Sequence, residues 1–410
     1  MSQTQKTWDH WKQLAARYQT KRPRRMLALD GGGIRGLMTA QVLVRLEELL
    51  AKHYEKQAQI KPGSFRLCQF FDYVAGTSTG AIIAAAIARG LSAKEILDFY
   101  REFGTAAFTK RPWYDRWKSL YGDGPLASKL KEVYSTKATL EPQHLKTLLL
   151  VVTRNATSDS AWPITSNPDA KYNAAIRPDC NLKIPLWQLV RASTAAPVYF
   201  PPEVIQWDRD DPNKSFVFVD GGTTAYNNPA FCLARMATEP AYQLNWDRGE
   251  SNLLIVSLGT GLAPSLGNAA EDPESNLAAN AVNALSALSS QASFDQDINC
   301  RTVGRCTFGH QLDREVLDLV PRQEPSDPNS GVVPLKQDLG RAFLYARYNA
   351  ELTQAGLTAL NLPRIDPHFV SKLDSVDAMP ELEAIGIEVG KQIQLEHFGK
   401  FIDGSLFLEN

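Results

Sequence analysis

The sequence predicts an α/β fold on a parallel sheet, and three observations carry that prediction. Twice within the first 90 residues a short apolar run ends in a glycine-rich turn and passes into a helical pattern. A later run, Leu253–Leu258, again ends in a glycine turn, Gly259-Thr260-Gly261. Strands alternating with helices make parallel sheets, and the turns at their strand C-termini form the rim where ligands bind.

Taken in order, residues 1–25 hold seven Lys/Arg and one Asp, a local charge of +6. Trp8, Trp11, Leu14, Ala15 and Tyr18 share one side of a helical wheel. A basic helix lying on anionic lipid and a helix packed on the domain both fit this pattern. Residues 25–30 read as a short buried strand that runs into Gly31-Gly32-Gly33-Ile34-Arg35-Gly36. Apolar periodicity from Leu37 to about Tyr54 then predicts a helix. Residues 70–75 predict a second strand, which ends in Gly76-Thr77-Ser78-Thr79-Gly80 and enters a small-residue helix over 81–89. Residues 99–121 are dense in aromatics interleaved with Lys110, Arg111, Arg116 and Lys118, as in a lid, a membrane-contact surface or a core element. Further strands are expected at 147–153, 216–220 and Leu253–Leu258. Residues 263–330 are polar and read as helix with loops, and 338–400 as a final mixed helical region.

Composition narrows the function classes. The 410 residues carry 44 Lys+Arg against 45 Asp+Glu, a net charge of −1, which argues against a dedicated nucleic-acid binder. The longest apolar run, residues 81–88, is far short of the about 20 residues of a membrane span. Residues 1–25 lack the apolar core of a secretory signal, so a cytoplasmic protein is expected. The cysteines at 68, 180, 232, 300 and 306 are scattered without a CxxC, which suits a reducing compartment. No Cys/His cluster has ligand spacing, so neither metal nor cofactor is expected. The near-zero charge is also a cancellation. Against +6 in residues 1–25, residues 371–410 carry three cations and eight acids, a charge of −5. An acidic tail of that kind is expected to cover a basic surface in the resting protein.

Gly31–Gly36 satisfies GxGxxG after a strand and before a helix, the dinucleotide-binding pattern. Two features count against a phosphate there. Asp30 precedes the first glycine, and residues 50–60 offer no second strand ending in an acid. The same turn suits another task, because its N–H groups, aimed by a helix N-terminus, can stabilise an oxyanion. Such a hole needs a nucleophile. Gly76–Gly80 is G-x-S-x-G at a strand-to-helix turn, where flanking glycines relieve a sharp elbow presenting Ser78. A serine needs a base. A Ser-Asp-His order would draw on His310, His368 or His397, of which His310 fits best. Asp220 offers a different base, since it ends the strand over 216–220 and precedes Gly221-Gly222. Asp30 reads as structural, holding the turn through backbone N–H groups.

Together Asp30–Gly36, Gly76–Gly80 and Asp220-Gly221-Gly222 resemble the oxyanion loop, nucleophile elbow and catalytic-aspartate motif of the patatin-like phospholipase family. Arg191-Ala192-Ser193-Thr194-Ala195-Ala196-Pro197, Tyr199-Phe200-Pro201, Asn227-Asn228-Pro229 and Ser257–Gly261 resemble its further motifs. The resemblance covers about residues 25–262. It implies a three-layer α/β/α patatin-like fold with a central, mostly parallel sheet and a helical C-terminal region. Residues 25–355 would form the hydrolase domain, with a basic N-terminal extension over 1–24 and an acidic helical extension over 356–410. It implies a phospholipase whose Ser78–Asp220 dyad attacks fatty-acyl esters of membrane phospholipids through an acyl-enzyme. Gly31, Gly32, Gly33 and Ile34 would form the oxyanion hole and Arg35 would contact a substrate phosphate. The expected partner is a phospholipid membrane, met peripherally at its inner face, and homo-oligomers fit this picture too. Some bacterial members act as anti-phage effectors switched on by cyclic nucleotides, and the chain's organisation resembles theirs, although no motif specifies a nucleotide pocket. Two other readings stand beside this one: a carboxylesterase with a Ser-Asp-His triad, and a nucleotide-binding regulatory module built on Gly31–Gly36.

Overall fold

β1 (Arg24–Leu29) lies at the centre of a nine-stranded sheet, with β2 (Tyr73–Thr77) on one side and β7 (Leu253–Leu258) on the other, both parallel to it. The computed structural model describes residues 15–57, 59–107, 119, 121–174, 176–208, 210–263, 277–310, 312, 340–404 and 406. Beyond β7 come β9 (Leu344–Tyr348) and β8 (Arg305–Phe308), also parallel. Beyond β2 comes β3 (Leu148–Asn155), again parallel. The antiparallel members are β4 (Ser160–Thr165), β5 (Glu203–Gln206) and β6 (Ser215–Asp220).

Parallel strands covered on both faces read as unbroken apolar runs rather than alternating ones. Every residue of β1, β2, β7 and β9 is buried. Alternate residues of each strand serve opposite layers. Leu27 and Leu29 join one core with α1 (Gly36–Lys56), α2 (Thr79–Arg89), α3 (Ala93–Ala107), α4 (Asp123–Tyr134) and α5 (Leu186–Ser193). Met26 and Ala28 join the other with α6 (Ala230–Thr238) and the C-terminal half of α7 (Leu277–Val303). The fold is therefore a three-layer α/β/α fold with a mostly parallel sheet, as expected.

The expected central strands are present, with shifted ends. Residues 70–72 do not extend β2, because Leu67–Phe70 forms a short helix. β4, β5, β8 and β9 are absent from the sequence reading, and β8 and β9 fall in regions read as helix and loop. β4 pairs with β3 as a hairpin, and β8 and β9 extend the sheet past β7.

The described residues nearest the two ends, from 15 and up to 404, are integrated into these layers. Arg17 donates to Asp72 Oδ1 at 3.0 Å and to the Phe71 carbonyl at 2.6 Å, so part of the basic N-terminal segment anchors the entry to β2. At the other end, α8 (Met379–Lys391) lies along α1 and buries Leu382, Ile385 and Val389. Phe398 and Phe401 are buried as well. The acidic tail is thus a packed layer as far as residue 404, held by apolar burial worth about 1.5–3 kcal/mol per large side chain. Of the aromatic-basic stretch, Tyr100 and Tyr121 are core residues. Residues 108–118, which hold Trp113, Trp117, Lys110, Arg111, Arg116 and Lys118, lie outside the described residues, as do residues 1–14 with Trp8 and Trp11.

Candidate active site

Strand register brings the serine and the aspartate together. β2 pairs with β3 up to the rung Thr77–Val152, and β6 takes the next rung, Asp220–Thr153, in the opposite direction. β4 occupies the other edge of β3 over Leu150–Asn155, so β6 continues along the edge that β2 leaves. The C-termini of β2 and β6 therefore meet head on. Ser78 and Asp220, 142 residues apart, become neighbours, and Ser78 Oγ donates to Asp220 Oδ2 at 2.6 Å.

Ser78 sits at φ 53°, ψ −123°, a conformation that costs a non-glycine residue about 1–3 kcal/mol. Several contacts hold it there. The Ser78 amide donates to Ser193 Oγ at 2.9 Å, and Ser193 Oγ donates onward to the Val152 carbonyl at 2.6 Å. Thr77 Oγ1 donates to the Tyr226 carbonyl at 2.6 Å. A Cβ on Gly76 would overlap the Gly80 carbonyl, and one on Gly80 would overlap the Leu29 carbonyl. The elbow thus needs both glycines for close backbone approach, and α2 begins directly after the serine.

Asp220 is 5% exposed. Its Oδ1 accepts the Gly222 amide at 2.6 Å, leaving Oδ2 to Ser78. Burial pushes the carboxyl up to about 6, against the Ser78 and Gly222 hydrogen bonds and the Arg191 charge, which favour the ionised form.

The glycine-rich turn after β1 faces this pair across a cavity of about 310 Å³. Ser78, Asp220 and Gly31–Gly33 line it, with Ile82, Leu126, Tyr199 and Phe200 on an apolar wall. The turn's amides are not equivalent. Gly31 N–H donates to the Asn227 carbonyl at 3.1 Å, and Ile34 N–H donates to the Leu373 carbonyl at 2.9 Å. Two of the four expected oxyanion donors are therefore engaged elsewhere. Among the described residues, the Gly32 and Gly33 amides have no backbone acceptor. Gly33 has φ 59°, and the Leu373 carbonyl occupies the space that a Cβ there would need.

Asp30 does not hold the turn through backbone amides as expected. Arg347 of β9 grips it with Nη1 on Oδ1 at 2.8 Å and Nη2 on Oδ2 at 2.5 Å. Nothing in the sequence near Asp30 points to a partner 317 residues away. The contributions of Arg347, Ser193 and Leu373 were likewise missed. Ser193 alone had a signal, since it lies in the quoted segment Arg191–Pro197.

Arg35 lines the cavity and is 4% exposed. Its Nε lies 3.4 Å from the Gly32 carbonyl, while its buried Nη1 has no hydrogen-bond partner among the described residues. Burial pulls its pKa down to about 10. His310 contacts the Asn349 carbonyl through Nε2 rather than Ser78. His397 meets the Tyr348 hydroxyl at 2.8 Å. Among the described residues no cluster of His, Cys, Asp or Glu has the arrangement of a metal site.

Fold and site together define a three-layer α/β protein with a serine–aspartate pair at a strained elbow. The chain belongs to the patatin-like phospholipase family, whose model matches residues 27–233. It is 30% identical over 248 residues to an intracellular phospholipase A2 of Caenorhabditis elegans, covering 58% of this chain and 20% of that protein. It is 30% identical over 257 residues to Patatin-17 of Solanum cardiophyllum, covering 58% of this chain and 60% of the other. It is 27% identical over 253 residues to a cGAMP-activated phospholipase of Escherichia coli, covering 59% and 65% respectively. The chain thus spans less than two thirds of each of these relatives.

Proposed function

We propose that this protein is a lipid acyl hydrolase that cleaves fatty-acyl esters of membrane phospholipids with a Ser78–Asp220 dyad. The observation that carries the reading is the 2.6 Å hydrogen bond from Ser78 Oγ to a buried carboxylate, made from a strained elbow beside a glycine-rich turn. In the first step Ser78 Oγ attacks the ester carbonyl carbon and its proton passes to Asp220 Oδ2. The negative charge formed on the carbonyl oxygen is met by the Gly32 and Gly33 amides, each such donor being worth about 3–4 kcal/mol. Collapse of the tetrahedral adduct breaks the C–O bond, and Asp220 returns the proton to the departing lysolipid oxygen. Water, deprotonated by Asp220, then attacks the acyl carbon; the bond to Ser78 Oγ breaks, Asp220 returns the proton to Oγ, and fatty acid is released.

A carboxylate of ordinary pKa is a weak base at neutral pH. The elevation of Asp220 to about 6 brings it within range of the task. The apolar wall of Ile82, Leu126, Tyr199 and Phe200 suits an acyl chain. The unpartnered Nη1 of Arg35 suits an anionic oxygen such as a lipid phosphate.

Membrane contact in this reading is peripheral. Among the described residues no helix is long and apolar enough to cross a bilayer. A cyclic-nucleotide activator belongs to the same proposal. Relatives in Escherichia coli and Vibrio cholerae are named cGAMP-activated phospholipases, which supports trying a panel of cyclic dinucleotides in the lipase assay. The dyad is tested by labelling with a fluorophosphonate. Peptide mass spectrometry should find the adduct on Ser78 alone, and labelling that persists in Ser78→Ala would overturn the assignment.

A further inference from the structure

The peptides of the turn after β1 are held from several elements at once. The Gly31 amide is tied to Asn227 and the Ile34 amide to Leu373. The Gly32 carbonyl accepts the Arg35 amide at 3.2 Å. The Gly31 carbonyl accepts Thr260 Oγ1 at 2.6 Å, with Asn227 Nδ2 at 3.4 Å as a weaker second donor. In a trans peptide the C=O of one residue and the N–H of the next point in opposite directions. The grip on the Gly31 carbonyl therefore fixes the direction of the Gly32 N–H, one of the two turn amides without a backbone acceptor.

We propose that Thr260 is a positioning residue, which sets the Gly32 oxyanion donor by holding the Gly31 carbonyl; this rests on the dyad reading above. The hold is rigid on both sides. Thr260 is 2% exposed. Its neighbours are fixed by Thr39 Oγ1 donating to the Gly259 carbonyl at 2.8 Å and by the Gly261 amide donating to Asn349 Oδ1 at 2.8 Å. The Thr260 side chain also fills the space that a Cβ on Gly32 would need, so hydroxyl and glycine are fitted to each other. Gly31 in turn abuts Ser78, since a Cβ on it would lie 3.1 Å from Ser78 Cβ. Because the Thr260 hydroxyl is spent on the Gly31 carbonyl, it acts through the turn, and its effect belongs to the transition state, where charge develops on the carbonyl oxygen.

The test uses the full chain and p-nitrophenyl butyrate, a soluble ester. Thr260→Val keeps the shape and removes the donor, and Thr260→Ala removes the donor without adding a methyl group. Both should lower kcat by about 10- to 100-fold while KM moves less than about threefold. Thr260→Ser should restore most of the rate. A trifluoromethyl ketone, whose hemiketal adduct with Ser78 carries the oxyanion, should weaken in parallel with kcat, a response that a purely structural role would not produce. Unchanged kcat in both Val and Ala variants would overturn the proposal. So would equal losses in Thr260→Ser and Thr260→Val, or losses that track the melting temperature and leave ketone affinity unchanged. The dyad is judged separately in the same assay. If Ser78→Ala hydrolyses the ester as fast as wild type, the dyad reading fails; if it is inactive while Thr260→Val and Thr260→Ala are not slowed, only the Thr260 proposal falls.

Discussion

Ser78 and Asp220 face each other because β2 and β6 end on consecutive rungs of β3, Thr77 opposite Val152 and Asp220 opposite Thr153. The pair is thus built by register in the centre of the sheet rather than by mobile loops. Fixed neighbours orient both members. The Gly222 amide fixes one oxygen of Asp220, and the serine elbow fixes the hydroxyl.

The pH dependence follows from the elevation of Asp220. The base must be ionised, so kcat/KM on a soluble ester should rise about tenfold per pH unit below 6. It should reach half its plateau near pH 6 and stay flat above about 7. A pH–rate profile with its acid limb near 4 would show that the base is a carboxylate of ordinary pKa.

The same elevation is a cost to folding. Between the ordinary pKa of 3.8 and about 6 the folded state holds a proton that the unfolded state has lost, so stability falls as pH rises through that window. Asp220→Asn removes the buried charge and keeps both hydrogen-bonding positions. It should melt higher than wild type at pH 7.5, by about 1–3 kcal/mol, with the gain fading towards pH 4. Calorimetry at the two pH values measures this directly.

Asp72 behaves in the opposite sense. Burial would raise its pKa, but Arg17, Arg22, Arg24 and the Arg25 amide outweigh burial and hold it below the usual range. Its stabilisation is therefore present above about pH 4 and is lost as pH falls through the depressed value. Asp72→Asn removes the buried carboxylate that pairs with Arg17, whose side chain is 1% exposed, and should cost about 3–5 kcal/mol at pH 7. Urea unfolding should show that loss shrinking under acid conditions.

His310 lines the same cavity as Ser78, but its Nε2 meets the Asn349 carbonyl rather than the serine. His310→Gln should keep ester hydrolysis within about threefold of wild type. A loss on the scale of Ser78→Ala would instead favour the triad esterase.

The central strands and the site motifs were legible because each is local. Three apolar runs end in glycine turns, and each turn carries its chemistry within seven residues. What the sequence hid are pairings across long separations. β9 carries Arg347 to Asp30 through a run, Leu344–Tyr348, whose buried arginine breaks the apolar pattern. Residues 371–404 read as an acidic tail over a basic surface because charges outnumber the buried Leu382, Ile385, Val389, Phe398 and Phe401, which meet their partners only in the fold. The oxyanion donors were overcounted for a related reason. Gly31 and Ile34 are identical in type to donors that could serve, and only the acceptors at Asn227 and Leu373 show that they are occupied.

The most direct measurement is mass spectrometry of the products formed from vesicles of mixed phospholipids by wild type, Ser78→Ala and Asp220→Asn, each with activators supplied. Wild type should release free fatty acid and the matching lysophospholipid in equal amounts, with neither variant rising above the protein-free blank. Fatty acid released by Ser78→Ala or Asp220→Asn at the wild-type rate, or none released by wild type, would contradict the account.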